Sequence, residues 1–219
     1  MDLRRPVRRP LPRGAHGLTR EYVAADQRAR LLDAMADAAA EHGYAEMTVA
    51  HVLEGARVSR RTFYEHFEDK LDCFVATYEV IVRQATDRIV AAHRRGEPWP
   101  TQVRTWLTTL CEFVAAEPSF ARVLLVEPLT AGGHALERHS EAVRSAIPFL
   151  ARGREQPGCP PGLPESIEEE VAGGLASIGY WWVVAGQTSE LSGRLPELVY
   201  FALLPYLGHD AALAESRSS

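Results

Sequence analysis

Apolar residues recur at helical spacing along most of the chain, and no stretch of useful length alternates as a half-buried strand does. The first stripe, Leu31, Leu32, Met35, Ala38 and Ala39, follows the i, i+4, i+7, i+8 spacing of one buried face. It predicts a helix closed by Gly43 in the C′ position, with Tyr44 packing back over it. Thr48 is a good N-cap for a second helix of about two turns, on which Val49, Val52, Leu53 and Ala56 share a face. Ser59 then caps a third short helix. Its Phe63 and Phe67 lie one turn apart, which pins one side inward and turns Arg60, Arg61, Tyr64 and Glu65 elsewhere.

A long fourth helix is predicted from Asp69 or a neighbour to Arg95-Gly96, with Leu71, Phe74, Val75, Tyr78, Val82, Ala85 and Ile89 in helical period. Beyond Pro98-Trp99-Pro100 a fifth carries Val103, Trp106, Leu107, Leu110 and Val114 and stops at Glu117-Pro118. Phe120 to Glu127 reads as a short helix, and Ala131 to Arg152 as another with a kink or break near Pro148. Residues 153–164 read as a loop. Glu165, Glu168, Glu169 and Glu170 sit at the start of the next helix, where they complement the positive end of its dipole. That helix runs toward Gln187 with Ile167, Val171, Leu175, Ile178 and Trp182, and a last one after Gly193 carries Leu198, Val199, Phe201, Ala202 and Leu204. No internal repeat or heptad series is present.

Composition narrows the setting. A 219-residue chain with 46% hydrophobic content can build a sizeable core without staples. Cys73, Cys111 and Cys159 are odd in number and have no CxxC spacing, which argues against a disulfide framework and for a reducing cytoplasm. The paired arginines at the start are followed by prolines rather than an apolar region, so no export signal is expected. The longest uncharged run, residues 171–187, contains four glycines and is too short to span a bilayer comfortably, so no membrane partner is expected.

The net charge of -5 is unevenly spread. Residues 1–70 hold 12 basic and 11 acidic side chains, and residues 71–219 hold 12 and 18, an asymmetry that points to two jobs. Residues 1–18 are expected to be a disordered basic arm, either a solubilising tail or one whose Arg4, Arg5, Arg8, Arg9 and Arg13 touch DNA backbone or minor groove.

Gly43-Tyr44, Thr48-Val49, Ala56, Val58-Ser59, Thr62-Phe63-Tyr64, His66-Phe67 and Lys70 stand together at one characteristic spacing. The stretch from Gly43 to Phe74 resembles the DNA-binding segment of TetR-family regulators. The resemblance implies an all-α fold of about nine helices. A three-helix helix-turn-helix domain at residues 19–69 would precede a helical effector-binding and dimerisation domain at 70–208 and a flexible tail at 209–219. It implies a ligand-responsive repressor that binds an inverted-repeat, double-stranded DNA operator as a homodimer. The alternative is a helical small-molecule-binding protein that kept the fold without specific DNA binding.

The spacing also makes physical sense by itself. A helix reads bases only if large apolar residues anchor one face while a polar face enters the major groove, and Phe63 and Phe67 supply that anchor. Ser59 can cap the helix and leave backbone N–H groups aimed at a phosphate. Arg60 and Arg61, in the first turn, suit bidentate contacts to guanine edges. By resemblance Thr62, Tyr64, His66 and Lys70 hold the DNA backbone, with Lys70 clamping a phosphate and Thr48 assisting from the second helix. The chain departs from the family in one place. Arg57 stands in the turn where glycine is usual, and a left-handed backbone there costs on the order of 1 kcal/mol.

In the second half the last two helices are the most apolar, and Leu175, Ile178, Trp181, Leu198, Phe201 and Leu204 are expected at a dimer interface. An effector pocket is implied by the resemblance. Tyr78, Trp106, Leu110, Phe113, Phe120, His134, Phe149 and Trp182 are its candidate lining, with coupling to DNA expected through a shift of the fourth helix. HExxH, GxSxG, Walker A and GxGxxG patterns are missing, so neither an enzyme nor a cofactor is expected. His134 with Glu137, and His139 nearby, form a loose metal-like cluster that reads better as a solvated helix face, so no metal is expected either.

Overall fold

The protein is described by a computed structural model over residues 19–218. The expected basic arm at residues 1–18 lies outside the described residues. Helix α1 spans Arg20–Glu46 and is capped by Thr19, whose side chain accepts the Tyr22 N–H. The stripe read from the sequence is its inner face, with Leu31, Met35 and Ala39 fully buried. Its regular part ends at Gly43, whose φ of 73° only glycine adopts without strain. The Tyr44 ring packs against the cluster that holds the α1 stripe and meets Phe74 edge-on, with centroids 4.8 Å apart.

Helices α2 (Val49–Ala56) and α3 (Arg60–His66) follow. A Cβ on Gly55 would lie 3.0 Å from that of Ala34, so the missing side chain is what lets α2 close onto α1. Arg30 ties the same pair by donating to the Ala56 carbonyl at 2.6 Å. Arg57 joins α2 to α3 with φ 54° and ψ 47°, so the left-handed turn is kept and its cost is borne by a side chain.

Helix α4 (Lys70–Ala92) is capped by Asp69 and stops one turn short of Arg95-Gly96, where His93 takes the C-cap. Helix α5 (Trp99–Ala116) includes the expected proline-rich lead-in, because Pro100 in its first turn needs no hydrogen-bonded N–H. The predicted Phe120–Glu127 helix is two, α6 (Pro118–Leu125) and α7 (Glu127–Ala131). The predicted Ala131–Arg152 helix breaks near Pro148 as expected, into α8 (Gly133–Arg144) and α9 (Ile147–Ala151), followed by the 3-10 turn η1 (Arg152–Glu155). Pro148 is tolerated because it sits in the first turn of the new helix. Helix α10 (Ile167–Val184), the 3-10 turn η2 (Thr188–Arg194) and α11 (Leu195–Arg217) complete the order. Residues 209–217, expected as a flexible tail, run as helix with Ala212 and Ser216 buried.

Two apolar clusters hold these elements. The first joins α1 to α4 with Phe113, Phe120, Val123 and Ala135, so the core of the first three helices continues past residue 70. The second gathers α5, α6 and α9 to α11 around Leu150, Leu203 and Tyr206. Glu168 was expected beside the other acids as a dipole complement. It is instead buried and paired with Arg154 through both carboxylate oxygens, at 2.7 and 2.9 Å, with the Tyr206 hydroxyl at 3.3 Å. Burial alone would raise its pKa, but the Arg154 contacts outweigh burial and hold it below the usual carboxylate value. This pair pins the 153–164 loop, whose Leu163 and Pro164 carbonyls also accept from Arg154.

Candidate functional site

Helix α3 is built as the hydrophobic pattern requires. Phe63 and Phe67 are buried, and the Arg28 guanidinium lies 5.3 Å from the Phe67 ring centre, closing the anchor from α1. Ser59 caps the helix by accepting the Thr62 N–H at 3.0 Å, and its hydroxyl meets that of Thr62 at 2.9 Å. Arg60, Arg61, Tyr64 and Glu65 are exposed, and their spacing puts them on one face. Arg61 has 90% of its side chain in solvent and reaches only Glu65, at 2.9 Å. Tyr64 stands edge-on to Phe63 and is half exposed.

The remaining candidates on this side are less free. Thr62 and His66 are half-buried, and His66 Nε2 lies 3.5 Å from the Gln27 amide oxygen on α1. Burial, aided by the charge of Arg28, lowers its pKa. The Lys70 ammonium donates to the carbonyls of Tyr44 (2.9 Å) and Met47 (3.0 Å) and lies 4.2 Å above the Tyr44 ring. Two of its three donors thus hold the α1–α2 turn onto α4. Thr48 is exposed at the start of α2, where its backbone N–H meets His51 Nδ1 at 3.4 Å.

Sequence reasoning missed Glu127, which is almost completely buried where α6 passes into α7. One carboxylate oxygen accepts from Arg122 at 2.7 Å, and the other accepts the Tyr44 backbone N–H at 2.8 Å and the Thr130 hydroxyl at 3.3 Å. Tyr44 is therefore held on three sides: N–H by Glu127, carbonyl by Lys70, ring by Phe74. The available signal was an acidic residue inside the otherwise apolar run from Val123 to Leu129.

The second half holds a cavity of about 580 Å³, walled along one side by α4 from Tyr78 to its C-cap His93 and otherwise by α5, α6, α8 to α10, η2 and α11. Four of the eight predicted lining residues reach it: Tyr78, Trp106, Leu110 and Phe149. The other four do not. Phe113 and Phe120 pack on each other in the first core cluster, 6.3 Å between centroids. Trp182 packs against the second cluster under the Arg194 guanidinium. His134 is exposed and pairs with Glu137 at 3.1 Å, whereas His139, expected beside it, turns in to line the cavity. Burial lowers the His139 pKa, partly countered by the Leu124 carbonyl at 3.2 Å.

The six expected interface residues divide as well. Leu175, Ile178 and Leu198 line the cavity. Trp181 (65% exposed), Phe201 and Leu204 face solvent together with Val184. Phe201 packs over Gly174, where a Cβ would approach its ring to 2.7 Å, so the outer faces of α10 and α11 are joined. Among the described residues no helix is long and apolar enough to cross a membrane.

Residues 31–77 match the model of the bacterial regulatory proteins of the tetR family. No curated protein matches the chain in sequence. Solved structures match it in fold. The fatty acid degradation regulator FadR from Bacillus halodurans superposes with a TM-score of 0.71 at 18% identity, over 81% of this chain and 94% of that one. FadR from Bacillus subtilis, solved in complex with stearoyl-CoA, gives 0.71 at 16% identity over 81% and 98%. A gamma-butyrolactone receptor, an ArpA-like protein, gives 0.66 at 19% over 88% and 96%. Residues 31–77 thus resemble the bacterial regulatory proteins of the tetR family in sequence, and most of the chain shares the fold of these solved regulators.

Proposed function

We propose that the chain is a ligand-responsive transcriptional repressor that binds an inverted-repeat operator as a homodimer. The observation that carries this reading is the adjacency of two features on one element. Helix α4 begins three residues after α3, which presents an exposed arginine face on a buried aromatic anchor, and then forms a wall of the cavity. A molecule in that cavity is positioned to shift α4 and, with it, α3. Two relatives in fold are named for ligands, stearoyl-CoA in one case and a butyrolactone in the other, which supports an effector for this chain as well.

In this reading Arg60 and Arg61 read base edges. Thr48, Ser59, Thr62, Tyr64 and His66 position the backbone, and the remaining donor of Lys70 meets a phosphate. The dimer forms through the outer faces of α10 and α11, around Trp181, Phe201 and Leu204, and places the two α3 helices about 34 to 36 Å apart, one turn of duplex. The test is selection of operator sequence from random duplex, followed by titration. Recovery of a palindrome with half-sites about one turn apart supports the reading, and equal binding to all duplexes overturns it.

A second reading, a ligand-binding protein without specific DNA recognition, is favoured by one observation: Lys70 is already engaged by two carbonyls. Duplex binding at low salt separates the two, since a carrier shows none.

A further inference from the structure

We propose that the cavity takes an uncharged, elongated, largely hydrocarbon molecule that enters with a neutral carbonyl foremost, against Tyr78, and trails its chain toward Thr86, Val90 and Ser145. This rests on the ligand-responsive reading above and specifies its ligand. Among the described residues, no Asp, Glu, Lys or Arg lines the cavity. An ionised group inside would lose its hydration with no counter-charge in reach, which a buried site tolerates poorly.

The polar side chains of the lining are mostly spent. Thr86 donates to the Val82 carbonyl at 2.9 Å and Ser145 to that of Ala142 at 2.6 Å. His93 Nδ1, 2.8 Å from the Ile89 carbonyl, must carry the proton, so its Nε2, buried with no hydrogen-bond partner among the described residues, is an acceptor that offers nothing to a ligand carbonyl. At the α8 end the balance differs. His139 Nδ1 lies 3.2 Å from the Leu124 carbonyl and 3.5 Å from the Tyr78 hydroxyl. A carbonyl oxygen cannot donate, so the shorter contact requires the proton on Nδ1, and that nitrogen then has no lone pair for Tyr78. The Tyr78 O–H is left as a buried donor without an acceptor, and burial keeps it protonated by raising its pKa. A ligand carbonyl supplies what it lacks.

Length and direction follow from exposure. Tyr78 is only 2% exposed, whereas Thr86, Val90 and Ser145 are open to solvent and mark the mouth between α4 and the α8–α9 break. Tyr78 and Val90 are about 18 Å apart along α4 at the helical rise. The polar group therefore sits at the closed end and the hydrocarbon at the open end, the reverse of an amphiphile that leaves its head in water.

Calorimetric titration of the full chain with 2-decanone, decanoate and decanoyl-CoA at neutral pH tests this, with Tyr78→Phe as the variant. The ketone should bind at least about tenfold more tightly than decanoate. Tyr78→Phe should weaken the ketone by roughly fivefold and leave decanoyl-CoA unchanged, since a thioester held by its tail does not present its carbonyl to the closed end. Failure of the ketone to bind, a preference for the carboxylate or the thioester, or wild-type ketone affinity in a folded Tyr78→Phe overturns the proposal. Should that variant not fold, the ranking of the three ligands on the unaltered chain decides. Ketone binding without any effect on operator affinity removes the regulatory reading and leaves this one standing; preference for a charged ligand does the opposite.

Discussion

Arg57 is the one non-glycine with positive φ among the described residues, and it is exposed. Its side chain has left the backbone of a tight turn unchanged, so the strain is local. Arg57→Gly should therefore raise stability by up to about 1 kcal/mol in urea unfolding, less the added entropy of the unfolded glycine, whereas Arg57→Val should lower it. Glu127 lies at the other extreme. Its buried carboxylate satisfies a backbone N–H and a guanidinium, and Glu127→Ala should cost about 2 kcal/mol or more by stranding those donors. His139 gives the pH dependence its direction. Its folded-state pKa is lowered, so on acidification the unfolded chain takes up the proton first. Its contribution is complete above about pH 6.5, the ordinary histidine value, and falls away as pH drops toward the folded value. His66 acts in the same direction, and His139→Gln should flatten, without abolishing, the loss of stability between about pH 6.5 and 5.

At the level of elements, the sequence made α1 to α4 legible because their caps and apolar stripes agree: Ser59, Asp69 and the Phe63–Phe67 pair each satisfy a local rule. The break at Val126 was not legible, because the apolar residues on either side continue in step and only the placement of Pro128 in a new first turn divides them, whereas Pro148 announced the one at Ser145-Ala146. Half of the residues expected in the cavity lining lie elsewhere for a related reason. Aromatic residues mark a core without saying whether they face a neighbour or a void, and Phe113, Phe120 and Trp182 found neighbours. Packing between elements also set a constraint no pattern revealed. A Cβ on Gly153 would come within 2.6 Å of both Trp99 and Tyr206, so η1 rests directly on α5 and α11. Gly153→Ala should destabilise by about 1 to 3 kcal/mol, seen as a lower melting temperature with unchanged helix content at 20 °C or so.

For the whole molecule, the unpartnered face of Trp181, Val184, Phe201 and Leu204 is what the proposed dimer would cover. Trp181→Asp and Phe201→Asp should each give a monomer by sedimentation and lose operator affinity steeply, because two half-sites bound together gain far more than one. Arg60→Ala or Arg61→Ala should leave the assembly intact and relax base preference, each by roughly 1 to 3 kcal/mol of discrimination. Lys70→Ala should weaken binding to every sequence, lower the salt slope by about 0.9, and also reduce stability, since two carbonyls lose their donor.

The three-way hold on Tyr44 has a mechanical consequence. Its amide belongs to α7 through Glu127 and its carbonyl to α4 through Lys70, so one residue couples the first three helices to two separate struts of the second half. Were both struts to travel together, the three helices would be carried along rigidly and their tilt preserved. Only a slide of one strut past the other twists that residue, which makes it a differential gear: it reports relative motion and ignores common motion.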